Sequence, residues 1–83
     1  MPIVTLRYWA AAKDAAGLAE EKVEAATLAQ ALAWAASRAE RLRPILARSS
    51  FLIDGEPAGR RPHQSIKLGD DMIVEVLPPF AGG

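Results

Sequence analysis

The sequence predicts an α+β fold, a mixed sheet of about five strands folded over one main helix, with short extra helices beside it. Three observations carry this. Residues alternate strand-like from Ile3 to Trp9, and an apolar, β-branched run, Met72–Leu77, lies near the end of the chain. Between them, Leu28, Ala31, Leu32, Ala35 and Ala39 recur at helical spacing. The segment Phe51-Leu52-Ile53 then runs into Asp54-Gly55, a strong signal for a tight hairpin turn.

Each element follows from its residues. In the first strand Val4, Leu6 and Tyr8 share one face, while Thr5, Arg7 and Trp9 share the other. The face without Arg7 is the core side, so Trp9 falls outside. Residues Ala10–Ala16 favour a short helix, and Gly17 suits the position just past its end. The charged segment Glu20–Glu24 reads as an edge strand with Val23 inward, because edge charges discourage unwanted pairing. Thr27 and Gln30 have the spacing of a capping box at the start of the main helix. Trp34 lies off the centre of the apolar stripe and is expected to cover the side of the core. Pro44 interrupts the helical pattern and is expected to open a short helix, Pro44–Ala47. After the Asp54-Gly55 turn a return strand is expected around Pro57–Arg60, followed by a polar, irregular segment with His63 in solvent. Gly69-Asp70-Asp71 turns into the last strand, with Val74 and Val76 inward, and Ile73, Glu75 and Leu77 outward. The order β-β-α-β-β-β fits a β-grasp arrangement, in which the first and last strands are neighbours at the sheet centre. Trp9, Leu77 and Pro57 are then expected on one exposed face, an apolar patch of the kind that marks a protein interface.

Composition narrows the chemistry. Eighty-three residues suit one domain (residues 1–77) and an extended tail (residues 78–83). Ten basic and ten acidic residues cancel, which argues against a nucleic-acid module. There is no cysteine, so thiolate metal sites and cysteine nucleophiles are excluded, and a lone His63 has no second histidine to share a metal with. No apolar run reaches the roughly 20 residues of a membrane span, and no signal-peptide pattern is seen, so a soluble, cytoplasmic protein is expected. No Ser/His/Asp arrangement or phosphate-binding glycine loop can be drawn. Glu20, Glu21, Glu24, Asp70 and Asp71 sit where exposed charge is ordinary.

What remains is the tail, Pro78-Pro79-Phe80-Ala81-Gly82-Gly83. The prolines stop the strand ladder and stiffen the exit. Gly82 and Gly83 lack Cβ atoms, so this backbone fits a narrow slot. Extended, the segment reaches roughly 20 Å. The Gly83 carboxylate, ionised at neutral pH, becomes reactive only when acylated onto something, most simply as an acyl-adenylate at another enzyme's ATP site.

The tail Leu77–Gly83, the opening Arg7-Tyr8-Trp9-Ala10-Ala11-Ala12-Lys13 running to Ala16-Gly17, and the Thr27-capped helix together resemble the small subunit of molybdopterin synthase, in the MoaD/ThiS group of ubiquitin-like sulfur carriers. One departure is Leu68, where that group usually has an acidic residue ahead of the turn glycine. The resemblance implies that Gly83 is adenylated by an ATP-dependent activating enzyme and then thiocarboxylated by a sulfur donor. The tail, Pro78, Pro79, Phe80, Ala81 and Gly82, would enter the large subunit, and sulfur would pass to cyclic pyranopterin monophosphate. Trp9, Pro57 and Leu77 fall where the small subunit meets its partners. Two small and two large subunits assemble in that group, and ATP and zinc belong to the activating partner, leaving this chain without a bound cofactor or metal and without a side-chain active site. Alternatives are a carrier for thiamin thiazole or amino-acid synthesis, a ubiquitin-like tag whose Gly83 ends in an amide to lysine, and a binding module with an inert tail. Thiazole carriers tend to be shorter and to lack the aromatic-alanine opening.

Overall fold

The structure, a computed structural model, describes residues 1–79. The alternating opening forms β1 (Ile3–Tyr8), and Val4, Leu6 and Tyr8 are all buried, as their spacing dictates. Trp9, expected within the strand, instead caps α1 (Ala10–Ala16), and Gly17 ends that helix at φ 82°. β2 (Glu20–Glu24) follows with Val23 inward. The main helix α2 (Leu28–Arg38) buries Leu28, Ala31, Leu32, Ala35 and Ala36. At its start the Gln30 N–H donates to Thr27 Oγ1 at 3.2 Å. Gln30 Oε1 accepts from the Ala26 N–H at 2.8 Å, one residue before the cap itself, so the capping box is displaced by one position on its return side.

The second short helix, α3 (Leu42–Leu46), begins two residues before Pro44. Proline is tolerated there because the first-turn N–H groups have no intrahelical partner in any case. β3 (Ser50–Ile53) and β4 (Glu56–Pro57) form the expected hairpin, with Asp54 at φ 49° and Gly55 at φ 85°. Both signs are positive, as a type I′ turn requires. The return strand stops at Pro57 rather than running to Arg60. Gly59 turns at φ 63°, and Arg61 donates to the Ala58 and Pro57 carbonyls in place of a strand partner. The segment expected to be irregular contains a 3₁₀ turn, His63–Ser65, and His63 is half-buried with its ring edge-on to Phe51 at 5.2 Å rather than solvated. Trp34 is 38% exposed, with Arg38 over its ring at 5.9 Å, so it leans outward more than the apolar stripe implies.

β5 (Ile73–Leu77) completes a five-stranded sheet in the order β2-β1-β5-β3-β4. β1 and β5 run parallel at its centre, and the other pairs are antiparallel. Val74 and Val76 complete the inner face, and the helices cover it. Leu68, the departure from the family pattern, is a core residue. Its side chain is buried and its N–H donates to the Ala26 carbonyl at 2.9 Å, which explains an apolar residue there. Among the described residues no helix is long and apolar enough to cross a membrane.

Candidate functional site: the root of the tail and the outer sheet face

β5 is the strand from which the tail departs, and it is central, so the departure point is held from both sides. On one side the Trp9 N–H donates to the Val76 carbonyl at 3.3 Å; on the other, Ser50 stands opposite Leu77. Pro78 is buried and Pro79 exposed. With no N–H on either proline the ladder has nothing to continue it. Phe80, Ala81, Gly82 and Gly83 lie outside the described residues.

The outer face is laid out by register. Arg7, Glu75, Leu52 and Pro57 form one row across β1, β5, β3 and β4. Leu77 and Ser50 lie in the next row towards the tail, with Trp9 just past the end of β1 beside them. Trp9 and Pro57 are three strand spacings apart, about 14 Å, so the residues expected to cluster are the ends of a band rather than mutual contacts. Half-buried Leu52 joins the band at its centre. Sequence alternation contained the signal for it, since Phe51 and Ile53 point inward.

Trp9 is 47% exposed and is fixed by two features. Its indole N–H donates to Glu75 Oε1 at 3.1 Å. The next residue, Ala10, has φ 49°, a left-handed conformation that is costly for any residue with a Cβ. It lets α1 begin immediately after β1. The Trp9 carbonyl then accepts from the Ala12 and Lys13 N–H groups at 3.0 and 3.3 Å. Arg7 pairs with Glu20 at 3.0 Å, an exposed ion pair that contributes little to stability but sets the charge pattern beside the band.

On the inner side, a polar network that sequence inspection missed ties β1, β2 and α2 together. The Tyr8 hydroxyl donates to Glu21 Oε2 at 2.6 Å, and Arg38 bonds the same carboxylate through Nε (2.7 Å) and Nη2 (2.8 Å). Arg38 Nη2 also donates to the Ala16 carbonyl at 3.1 Å. Glu21 is therefore held against the protein, unlike the exposed edge charge expected of it. Burial, and next the hydrogen bond to Glu21, push the Tyr8 hydroxyl well above its ordinary pKa, while Glu21 raises that of Arg38. The available clue was Val23: if it points inward, so does Glu21 two residues earlier. Among the described residues no three His, Asp or Glu side chains gather in a way that would hold a metal ion.

The whole chain has solved structural counterparts. A candidate molybdopterin converting factor subunit 1 from Pyrococcus furiosus is 21% identical at TM-score 0.81, covering 96% of this chain and 100% of that one. The small archaeal modifier protein 1 from Methanosarcina acetivorans is 20% identical at TM-score 0.88, covering 100% and 98%. The complex of subunits 1 and 2 of molybdopterin-converting factor from Helicobacter pylori contains a chain 20% identical at TM-score 0.73, covering 98% and 99%. These likenesses establish the ubiquitin-like β-grasp fold. Among curated protein sequences there is no match. The sequence profile of the ThiS family matches residues 6–83, all but the first five residues, and the chain belongs to that family of ubiquitin-like sulfur carriers.

Proposed function

We propose that the chain carries sulfur as a thiocarboxylate on Gly83 and serves as the small subunit of a molybdopterin synthase. One observation carries this most strongly: Leu77 and Pro78 leave the sheet from its central strand, braced by Trp9 and Ser50, beside an exposed apolar band. A rigid root with a thin, proline-stiffened arm suits delivery of a reactive end into another protein's site. The Gly83 carboxylate attacks ATP held by an activating enzyme, releasing pyrophosphate and forming an acyl-adenylate. Sulfide then attacks the acyl carbon and displaces AMP, leaving the thiocarboxylate; where the donor is a persulfide, a thiol reductant must also cleave its S–S bond. Transfer of that sulfur to cyclic pyranopterin monophosphate, with water cleaving the acyl–sulfur bond and supplying the oxygen, restores the carboxylate for another round. ATP and zinc remain with the activating enzyme, and this chain supplies only its own end.

Docking on the large subunit uses Trp9, Leu77, Leu52 and Pro57, with Pro78, Pro79, Phe80, Ala81 and Gly82 entering the partner, two small with two large subunits, in the cytoplasm. The Helicobacter pylori complex, in which subunits 1 and 2 of molybdopterin-converting factor are joined, supports a large-subunit partner. The likeness to a small archaeal modifier protein favours a second reading, in which Gly83 is joined to lysine as a tag. Reconstitution separates them. The chain is combined with an activating enzyme, ATP, a sulfur source, a large subunit and the pyranopterin. Formation of the dithiolene product supports the first, whereas lysine conjugates without product support the second.

A further inference from the structure

The edge of the sheet furthest from β4 is open. The Thr5 N–H bonds the Met72 carbonyl on the β5 side, so the odd-numbered backbone groups of β1 face β5 and the even-numbered ones face β2. By register, Val4 lies opposite Val23 and Leu6 opposite Glu21. The N–H and C=O groups of Glu20, Lys22 and Glu24 therefore point away from the sheet. Among the described residues no strand lies beyond them, and neither Lys22 nor Glu24 forms a salt bridge. Exposed apolar side chains flank this edge: Ile3 and Trp34 line a surface groove with Lys22, Val23 and Glu24. Edge charges usually prevent pairing. Here their order permits one particular pairing.

Two copies of β2 can pair antiparallel only in registers that set Glu20, Lys22 and Glu24 against one another. Centred on Lys22, the ladder opposes Lys22 to Lys22 and Glu20 to Glu24. Centred on Glu21, it brings two Glu21 carboxylates together on the helix side, where Glu21 is already committed to Tyr8 and Arg38. Centred on Val23, it opposes Lys22 to Glu24 twice on the outer face. It also sets the two Val23 residues, each already buried, opposite one another on the inner face, with the exposed Trp34 of each copy beside the seam to supply the apolar contact. Only this register satisfies charge and apolar faces together. We propose that two copies of this chain associate through their β2 edges in the Val23-centred register, making one sheet with five strands from each copy. The association uses the β2 edge and not β5 or Trp9, so it does not depend on the functional assignment above.

Sedimentation of the full chain over a concentration series tests it. The wild type is expected to shift from monomer to dimer as concentration approaches about 1 mM, as befits a short edge interface. Lys22→Glu and Glu24→Lys, each confirmed folded by thermal melt, should each weaken association about ten-fold, because each turns two attractive cross-strand pairs into repulsive ones. The double variant Lys22→Glu/Glu24→Lys restores both pairs and should restore dimerisation. A chain that stays monomeric throughout, a dimer indifferent to the single substitutions, or a double variant as weak as the singles would each overturn the proposal.

Discussion

The indole of Trp9, just past the end of β1, and the carboxylate of Glu75 on β5 meet on the outer face of the sheet, N–H to Oε1 at 3.1 Å. A large side chain that is half exposed yet hydrogen-bonded is preorganised for contact, since little rotamer freedom remains to be lost on binding. If the large subunit is the partner, as proposed, Trp9→Lys should therefore weaken its binding by about 2 kcal/mol or more, roughly thirty-fold. Its effect on stability should stay within about 0.5 kcal/mol, the usual range for surface sites. Titration against the large subunit beside a thermal melt checks both.

Ala10 makes the abrupt passage from β1 to α1 at φ 49°. Glycine inside a helix normally costs about 1 kcal/mol relative to alanine. At this position the left-handed backbone penalises the alanine Cβ by about 1–2 kcal/mol. Ala10→Gly should consequently be neutral or stabilising by up to about 1 kcal/mol in urea denaturation, while Ala12→Gly, in the buried part of the same helix, should destabilise.

Tyr8 is the chain's only tyrosine, and its hydroxyl is held neutral by burial and by Glu21. The unfolded chain loses this proton near pH 10, whereas the folded chain keeps it to higher pH. Above pH 10 the unfolded state thus binds fewer protons, and stability falls as pH rises, by up to about 1.4 kcal/mol per pH unit from this group. Below pH 10 its contribution is fully present. Tyr8→Phe should cost about 1 kcal/mol at neutral pH and flatten the decline above pH 10. Denaturation midpoints across pH 8–12 provide the comparison.

Where local rules had no competitor, the sequence was readable. Alternation placed Val4, Leu6, Tyr8, Val74 and Val76 in the core, Asp54-Gly55 specified its turn, and Thr27 specified the start of α2. Boundaries were lost where several positions are equivalent. Pro44 suits any place in a first helical turn, and the strand after Asp54-Gly55 is cut short by contacts from Arg61 that lie beyond strand propensity. The Tyr8–Glu21–Arg38 network joins residues far apart in the chain, so only the inward parity of Val23 hinted at it. On the outer face the sequence pointed to Trp9, Pro57 and Leu77 but not to Leu52, which fills the space between them, nor to Glu75, which holds the indole.

The proposed role of the Gly83 carboxylate is tested most directly by intact-mass analysis of the chain purified with its activating enzyme, ATP and a sulfur donor. Exchange of one carboxylate oxygen for sulfur adds about 16 Da, and fragmentation should place it on Gly83. The gain should vanish when Gly83 is deleted or followed by one extra residue, with the thermal melt unchanged. An unaltered mass, an addition located elsewhere, or sulfur transfer that persists without Gly83 would contradict the account.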